Sequence, residues 1–179
     1  MLYMFLADGF EETEALATLD VLRRAEIEVK TVGVTGATVT GSHNISVTAD
    51  LGIDEISVSN VSGVILPGGM PGTTNLENND TVIKCVNFAA NKKLLVAAIC
   101  AAPSILGHLG ILEGKKATCF PGFENELKGS EVVDLGVVRD SNIITAKGAG
   151  VSLEFGFKIV EFIKNKNIAD GLRKTMQCI

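Results

Sequence analysis

The 179-residue chain has no tryptophan, one tyrosine, two histidines, four prolines and four cysteines. Two histidines and four cysteines without a C-x-x-C pair leave too few ligands at the right spacing for a structural zinc site. No basic run exceeds two residues, and 16 Lys+Arg against 21 Asp+Glu give a net charge of −5. A nucleic-acid-binding protein would carry a basic patch. We therefore expect no metal, and no nucleic acid as a partner.

The first residues of the sequence are not expected to form a targeting segment. Its first residues form an apolar run without a basic region before it or a small-residue cleavage site after it, which predicts a strand rather than a signal peptide. Residues 94–112 contain no Asp, Glu, Lys or Arg, which approaches the ~20 apolar residues of a membrane helix. A proline, two glycines and a histidine interrupt this stretch, so we expect a buried core segment and no membrane partner. Free thiols suit a reducing compartment, and the predicted location is cytoplasmic.

Apolar runs alternate with amphipathic helical patterns along the chain. Five runs predict strands buried on both faces, at residues 1–7, 27–34, 61–66, 94–99 and 143–146. Helices are predicted between and after them, at residues 11–26, 80–92, 151–164 and 168–179. This alternation predicts one α/β domain over residues 1–179, a three-layer sandwich with a mostly parallel central sheet. Residues 38–49 predict a hairpin excursion, and residues 131–144 predict two short strands with a turn at residues 140–142. Neither is expected to disturb the central sheet.

Ligands of such sheets collect beyond the carboxyl ends of the strands. At the first of these ends Glu11, Glu12 and Glu14 crowd into a loop and the opening of a helix. Favourable interaction with a helix dipole accounts for two carboxylates. A third, facing inward, would have a raised pKa and could donate or accept a proton. The spacing alone does not choose which glutamate this is.

A second strand end carries a turn with paired glycines, Gly68 and Gly69, between two prolines. Paired glycines allow a sharp turn that brings backbone N–H groups close to a ligand. The trailing Gly-Lys-Ser/Thr of a phosphate-binding loop is missing, so the turn by itself is a weak signal.

The third strand end is the most informative, because a buried strand leads directly into Cys100. Small residues flank this cysteine, and Pro103 stands where the first turn of a helix tolerates proline. This pattern predicts a nucleophile elbow, a sharp strand-to-helix turn that only small neighbours fit. Facing a helix N-terminus, the thiol is expected to have a lowered pKa. The alternative is a buried, inert cysteine.

The two histidines limit the possible chemistry of that cysteine. His108 lies eight residues beyond Cys100, ~12 Å along a helix, and cannot reach the thiol. No histidine follows it, which excludes the Cys-His-Glu triad of glutamine amidotransferases. His43, in the 38–49 excursion, is interpreted as an ordinary surface histidine at most peripheral to the site. The thiol would then depend on backbone dipoles and a carboxyl group.

These motifs, in this order, resemble the DJ-1/ThiJ/PfpI superfamily, specifically its parkinsonism-associated, ThiJ-like branch. The carriers of the resemblance are LADGFEETEAL with DVLRRA, VILPGG, AAICAAPS, ATCFPGFE and TAKGAGVSLEF. The resemblance implies a flavodoxin-like homodimer that needs no cofactor. It also implies that Glu14 is a protonated carboxyl group hydrogen-bonded to the sulfur of Cys100, with Gly69 and Ala101 as backbone N–H donors.

The function that the resemblance implies is a glyoxalase or deglycase acting on methylglyoxal-type dicarbonyls or their adducts. The alternative is a non-enzymatic redox sensor or chaperone whose Cys100 oxidises to a sulfinate. The label ThiJ also suggests a thiamine-related role, for which these residues offer no mechanism.

Several residues depart from the superfamily's pattern or stand at the edge of the site. Phe120 replaces a histidine that relatives often carry, and Ala101 replaces the histidine of the protease-like branch, which argues against peptidase activity. Lys147 replaces an arginine of some relatives. Cys119 is either a resolving thiol at the same edge of the sheet or a core cysteine. Cys85 and Cys178 are given no chemistry.

Overall fold

The computed structural model describes residues 1–178 and is built from alternating strands and helices. The strands are β1 (Leu2–Leu6), β2 (Val29–Gly33), β3 (Thr38–Thr40), β4 (Ser46–Thr48), β5 (Leu51–Gly52), β6 (Gly63–Leu66), β7 (Leu95–Ile99), β8 (Lys116–Ala117), β9 (Glu131–Val132), β10 (Val137–Asp140) and β11 (Ile143–Ala146). The α-helices are α1 (Glu12–Arg24), α2 (Gly72–Glu77), α3 (Asp80–Asn91), α4 (Pro103–His108), α5 (Ser152–Ile163) and α6 (Lys166–Thr175). All five predicted strands and all four predicted helices are present, with ends shifted by a few residues.

Seven of the strands form one central sheet in the order β10-β11-β7-β6-β1-β2-β5. Every neighbouring pair is parallel except β10 with β11. The prediction that residues 131–144 leave this sheet undisturbed was wrong for β10. The tight turn at Ser141 folds β10 back along the open side of β11, where an antiparallel edge strand satisfies that edge's hydrogen bonds. The hairpin of β3 and β4 does stand apart from the sheet.

Each face of the sheet is covered by helices, which confirms the three-layer α/β architecture. Successive side chains of a strand point to opposite faces, and in β1 Met4 belongs to one buried cluster and Phe5 to the other. Residues of α1, α5 and α6 pack in the cluster of Met4. Residues of α2, α3 and α4 pack in the cluster of Phe5.

Helix α1 is held in place by α5. Gly156 of α5 lies so close to α1 that a Cβ placed there would be 2.9 Å from the Cβ of Val21. The hydroxyl of Thr18 donates a hydrogen bond to the carbonyl of Ser152 at 3.3 Å, in a buried position. This close contact fixes the helix whose first turn carries the three glutamates.

The apolar stretch 94–112 is divided between β7, a turn and the six-residue α4. Among the described residues, every helix falls short of the length and apolar character that crossing a membrane requires.

The strand order explains how the predicted strand ends meet. β11, β7, β6 and β1 are consecutive in the sheet and run parallel, so their carboxyl ends form one row. That row holds, in turn, Lys147, Cys100, the Gly68–Gly69 turn and the loop before α1.

Two helical glycines give a matched test of this packing. We expect Gly156→Ala to destabilise the protein by about 1–3 kcal/mol, because Val21 must shift to admit the new methyl group. Gly171, in α6, has open space around it, so Gly171→Ala is expected to stabilise by about 0.5–1 kcal/mol through helix propensity. Urea unfolding of both variants measures the difference. Equal effects would contradict the close α1–α5 contact.

Candidate active site

Cys100 lies in a sharp turn between β7 and α4, as the elbow pattern predicts. Its φ of +65° is in the left-handed region, which residues other than glycine rarely adopt. The N–H of Cys100 donates to the carbonyl of Ala146 at 2.9 Å, and its carbonyl accepts from the N–H of Phe120 at 2.8 Å. Ala98 and Ala102 beside it are fully buried. The residue remains partly exposed.

The carboxyl group that faces this cysteine belongs to Glu14, whose residue is 1% exposed. The carboxyl group lies close enough to the thiol for each group to shift the pKa of the other. The N–H of Gly68 donates to Glu14 Oε2 at 2.9 Å, and the backbone of Ala149 forms another hydrogen bond to the same carboxyl group. Glu14 is therefore held between two strand-end loops and the sulfur.

Glu11 serves as the N-terminal cap of α1. Its carboxylate accepts a hydrogen bond from the N–H of Glu14 at 2.6 Å, which satisfies one of the free N–H groups at the start of the helix. This cap also aligns the first turn that carries Glu14. Glu11 itself is only partly buried.

Glu12 points to the other side, toward the β3–β4 hairpin. Its Oε1 accepts from the N–H of His43 at 2.7 Å, and its Oε2 lies 2.9 Å from His43 Nδ1. Although burial acts to raise the pKa of Glu12, the hydrogen bonds from His43 and from backbone N–H groups outweigh it and lower this pKa to about 2. Glu12 thus holds the hairpin in place. Glu14 is the inward-facing glutamate that the spacing alone did not identify.

The paired glycines bring the β6 turn against the sulfur. A Cβ placed on Gly68 would lie 2.5 Å from the Cβ of Cys100 and 2.7 Å from Glu14 Oε2. Gly69 has a φ of +88°, and its backbone and that of Ala101 hydrogen-bond to the sulfur of Cys100. Their role as N–H donors at the sulfur, which the resemblance implies, stays a prediction.

The charge state of the pair differs from the sequence-based expectation. Burial raises the pKa of Glu14 from its ordinary value of 4.5 to about 7. Burial, together with the negative charge of Glu14, raises the pKa of Cys100 to about 12. The prediction of a lowered thiol pKa was therefore wrong. Helix α4 has only six residues, and its dipole does not compensate for removing the thiolate from water beside a carboxylate.

Phe120 and Lys147 lie at the rim of the site. Phe120 is 47% exposed, and a Cβ placed on Gly148 would lie 3.3 Å from its ring and 3.7 Å from Glu14 Oε1. A cavity of about 290 Å³ continues from there, lined by both rim residues and by residues 148–151. Lys147 forms an ion pair with Asp134.

The remaining predicted residues do not join the pair. Cys119 is 3% exposed and follows β8, which pairs with β9 in a separate small sheet. Its strand is therefore not part of the central sheet. The segment nevertheless ends beside Cys100, because the N–H of Phe120 donates to the carbonyl of Cys100 at 2.8 Å. His43 is exposed on the hairpin, and its pKa is raised by its hydrogen bond to Glu12. All four cysteines are free; Cys85 is buried and Cys178 exposed.

Within residues 1–178, one group of side chains approaches the arrangement of a metal site. Glu11, Glu12 and His43 each offer one ligand atom, and these atoms lie within 4.8 Å of one another. Glu11 caps α1 and Glu12 holds the hairpin, so both carboxylates already have structural partners.

Two parts of the site escaped the sequence analysis. Gly68 was noted only as part of a turn, although it both contacts Cys100 and donates to Glu14. Gly148 and Ala149, in the segment AKGAG, close the other side of the carboxyl group. The small residues after β11 were a signal that could have identified this loop, because a backbone close to a ligand requires small side chains.

The buried carboxyl group makes stability depend on pH. In the unfolded chain Glu14 ionises near 4.5, whereas in the folded protein it keeps its proton until about pH 7. The contribution of Glu14 to the free energy of unfolding is therefore fully present below pH 4.5 and is lost as pH rises through 7. At about 1.4 kcal/mol per pKa unit, the loss is on the order of 3 kcal/mol. We expect Glu14→Gln to remove this loss.

Urea unfolding at pH 4.5, 6 and 8 measures the effect. The exposed Glu28→Gln variant is the matched control and should follow the wild-type pH dependence. A Glu14→Gln variant with that same dependence would contradict the raised pKa.

Comparison with known proteins agrees with the resemblance. The chain matches the model of the DJ-1/PfpI family over residues 1–162. Protein dj-1beta of Drosophila melanogaster is 35% identical over 176 residues, which is 94% of each chain. The Parkinson disease protein 7 homolog of Danio rerio is 33% identical over 171 residues, 93% of this chain and 90% of the relative.

Solved structures of relatives superpose closely. The structure of oxidized Toxoplasma gondii DJ-1 gives a TM-score of 0.94 with 29% identity and covers 98% of this chain and 97% of the other. Drosophila melanogaster DJ-1beta gives 0.93 with 33% identity, covering 98% and 96%. The chain therefore belongs to the DJ-1/PfpI family.

Proposed function

We propose that this protein is a cysteine-dependent stress-response protein that converts methylglyoxal-type dicarbonyls, or their adducts, without a cofactor. A stress-response role of the DJ-1 type follows from family membership. The observation that carries the enzymatic part is the pairing of a partly exposed Cys100, in a strained turn, with a buried Glu14. The substrate class is a small aldehyde.

The first step is attack of the sulfur on the aldehyde carbon. The thiol is protonated at neutral pH, because its pKa is about 12. Glu14, with a pKa of about 7, takes this proton as a general base as the carbon–sulfur bond forms. The aldehyde oxygen becomes an oxyanion that the N–H groups of Gly69 and Ala101 stabilise. Glu14 then gives this proton to the oxyanion, so the product is a neutral hemithioacetal and Glu14 is again a carboxylate.

The second step moves a hydrogen between the two carbons of the dicarbonyl. Glu14 removes the proton from the former aldehyde carbon and returns it to the neighbouring carbon, and the hydroxyl proton passes to the oxygen of that neighbouring carbon. The hemithioacetal thus becomes a thioester of a 2-hydroxy acid. Water then hydrolyses the thioester and releases the acid and the free thiol. The net reaction adds one water to the dicarbonyl, with no external oxidant or reductant.

The rim of the site supports a small substrate. Phe120, where many relatives carry histidine, offers no proton-transfer group, so Glu14 supplies both proton transfers in this proposal. The adjacent cavity of about 290 Å³ has room for the substituent of a small aldehyde or a short adduct. A homodimer and a cytoplasmic location, where free cysteines persist, belong to the same proposal.

Methylglyoxal consumption by purified variants tests the enzyme. We expect Cys100→Ser to lose roughly 10²-fold or more of kcat/KM, and Glu14→Gln to lose a comparable factor, because each removes a reacting group. In the wild type kcat/KM should rise as pH passes about 7, where Glu14 ionises. Cys119→Ser, which replaces a buried cysteine near the site, is the control and should retain wild-type rates. Undiminished consumption by Cys100→Ser overturns the enzymatic function.

A second candidate function is redox sensing by the same cysteine. One peroxide converts a thiol to a sulfenic acid and water, and a second peroxide gives the sulfinic acid and water. The N–H groups of Gly69 and Ala101 and the protonated form of Glu14 would hydrogen-bond to the added oxygens. The Toxoplasma gondii relative has been solved in a form described as oxidized.

Intact-mass and peptide mass spectrometry after mild peroxide treatment distinguish the two functions. A sensor gains two oxygens on Cys100 before Cys85, Cys119 or Cys178 changes, and leaves methylglyoxal untouched. Because Cys178 is the exposed cysteine, its earlier oxidation would count against a sensing role for Cys100.

A further inference from the structure

His108 takes no part in the proposed chemistry, yet both nitrogens of its ring are engaged by carboxylates. It is the last residue of α4. Nδ1 lies 2.5 Å from Oε1 of Glu77, and Nε2 lies 2.8 Å from Oε2 of Glu126. A neutral imidazole donates from only one nitrogen, whereas a carboxylate can only accept. Two such contacts therefore require the doubly protonated imidazolium.

The two carboxylates come from different segments. Glu77 is the last residue of α2, and Glu126 ends the short 3₁₀ turn at residues 124–126. Lys128, just beyond that turn, is the nearby positive charge that opposes the protonated form. The hydrogen bonds to Glu126 and Glu77 prevail and raise the pKa of His108 above its usual value. Its side chain is 31% exposed, so the ring exchanges its proton with solvent.

Each of the three joined segments begins at the active site. Helix α2 follows the turn that contains Gly69, and α4 follows the elbow that contains Ala101. The 124–126 turn follows Phe120, whose N–H donates to the carbonyl of Cys100. Three backbone N–H groups around the cysteine thus come from three segments that meet again at His108.

The contact between α4 and the 124–126 turn is so close that neither segment can shift without displacing the other. A Cβ placed on Gly107 would lie 2.0 Å from the carbonyl oxygen of Glu126. The two backbones therefore touch directly. Helices α2 and α4 have six residues each, too short to be stable without tertiary contacts.

We propose that His108 is a positioning residue: its imidazolium ties α2, α4 and the 124–126 turn together and so fixes the backbone N–H groups that surround Cys100. The proposal rests on the proposed function only in taking Cys100 as the reactive group. Loss of the proton leaves one ring nitrogen facing a carboxylate without a hydrogen between them, so the tie is broken at high pH.

Hydrogen exchange tests the tie without any substrate. Amide protection of residues 67–78 and 100–108 is measured by mass spectrometry at pH 6 and pH 9 and corrected for the intrinsic pH dependence of exchange. At pH 6 we expect the wild type to be about threefold to tenfold more protected than His108→Gln in both segments, because its partly exposed charged hydrogen bonds are intact. At pH 9 this difference should disappear. The ionisation of Glu14, which both proteins share, cancels in the comparison.

The chain's other histidine supplies the matched control. His43 pairs with a single carboxylate on the hairpin, so His43→Gln should keep the wild-type response in both segments. Glu126→Gln, which removes one of the two carboxylates that contact His108, should give an intermediate loss of amide protection. It takes the place of His108→Gln in the test if that variant does not fold. Wild-type protection at pH 6 in His108→Gln, or in Glu126→Gln, overturns the proposal.

A reactivity measurement links the tie to the cysteine. The rate of Cys100 alkylation by iodoacetamide in His108→Gln, divided by the wild-type rate, should be about one-third at pH 6 and close to one at pH 9. The ratio cancels the ionisation of Glu14, which both proteins share. A ratio of one at both pH values shows that His108 does not position the site. Because neither measurement uses methylglyoxal, absence of turnover would refute the enzyme and leave this inference standing.

Discussion

A carboxyl group and a thiol that are buried side by side destabilise the fold when either of them is ionised. The site is organised around such a pair, Glu14 and Cys100. Burial raises the pKa of both Glu14 and Cys100, so at neutral pH a proton is retained between them. Backbone N–H groups from Gly68 and Gly69 supply the hydrogen bonds that water would otherwise give. The positive φ of Cys100 and the missing side chain at Gly68 are the conditions for this approach. Three loops together therefore create the surroundings that allow this pair to form, and neither side chain does so alone.

Much of the fold could be predicted, because buried parallel strands and amphipathic helices have different periodicities. The short elements were the ones missed. β5 and β8 have two residues each and α2 has six, so none is long enough to show a period. The position of β10 depends on which edge of the sheet is open, and this is a property of the assembled sheet.

The site shows the same division. Small residues around Cys100 and paired glycines are local requirements, and the sequence predicts both. Which glutamate turns inward depends on rotation about α1, which the cap at Glu11 and the hairpin contact of Glu12 determine. The direction of the thiol pKa depends on burial and on a neighbouring charge, whereas the motif indicated only a helix dipole. Long-range contacts therefore decide the electrostatics, although local pattern decides the geometry.

The two edges of the central sheet have a consequence for self-association. At one edge, β5 offers only two residues. At the other, the side chain of Asp140 in β10 accepts the N–H of Lys116, and β8 lies alongside. Short or occupied edges give an incoming strand little to pair with. An incoming strand therefore finds few free hydrogen-bonding groups at either edge, and extension of the sheet by a second copy of this chain is disfavoured.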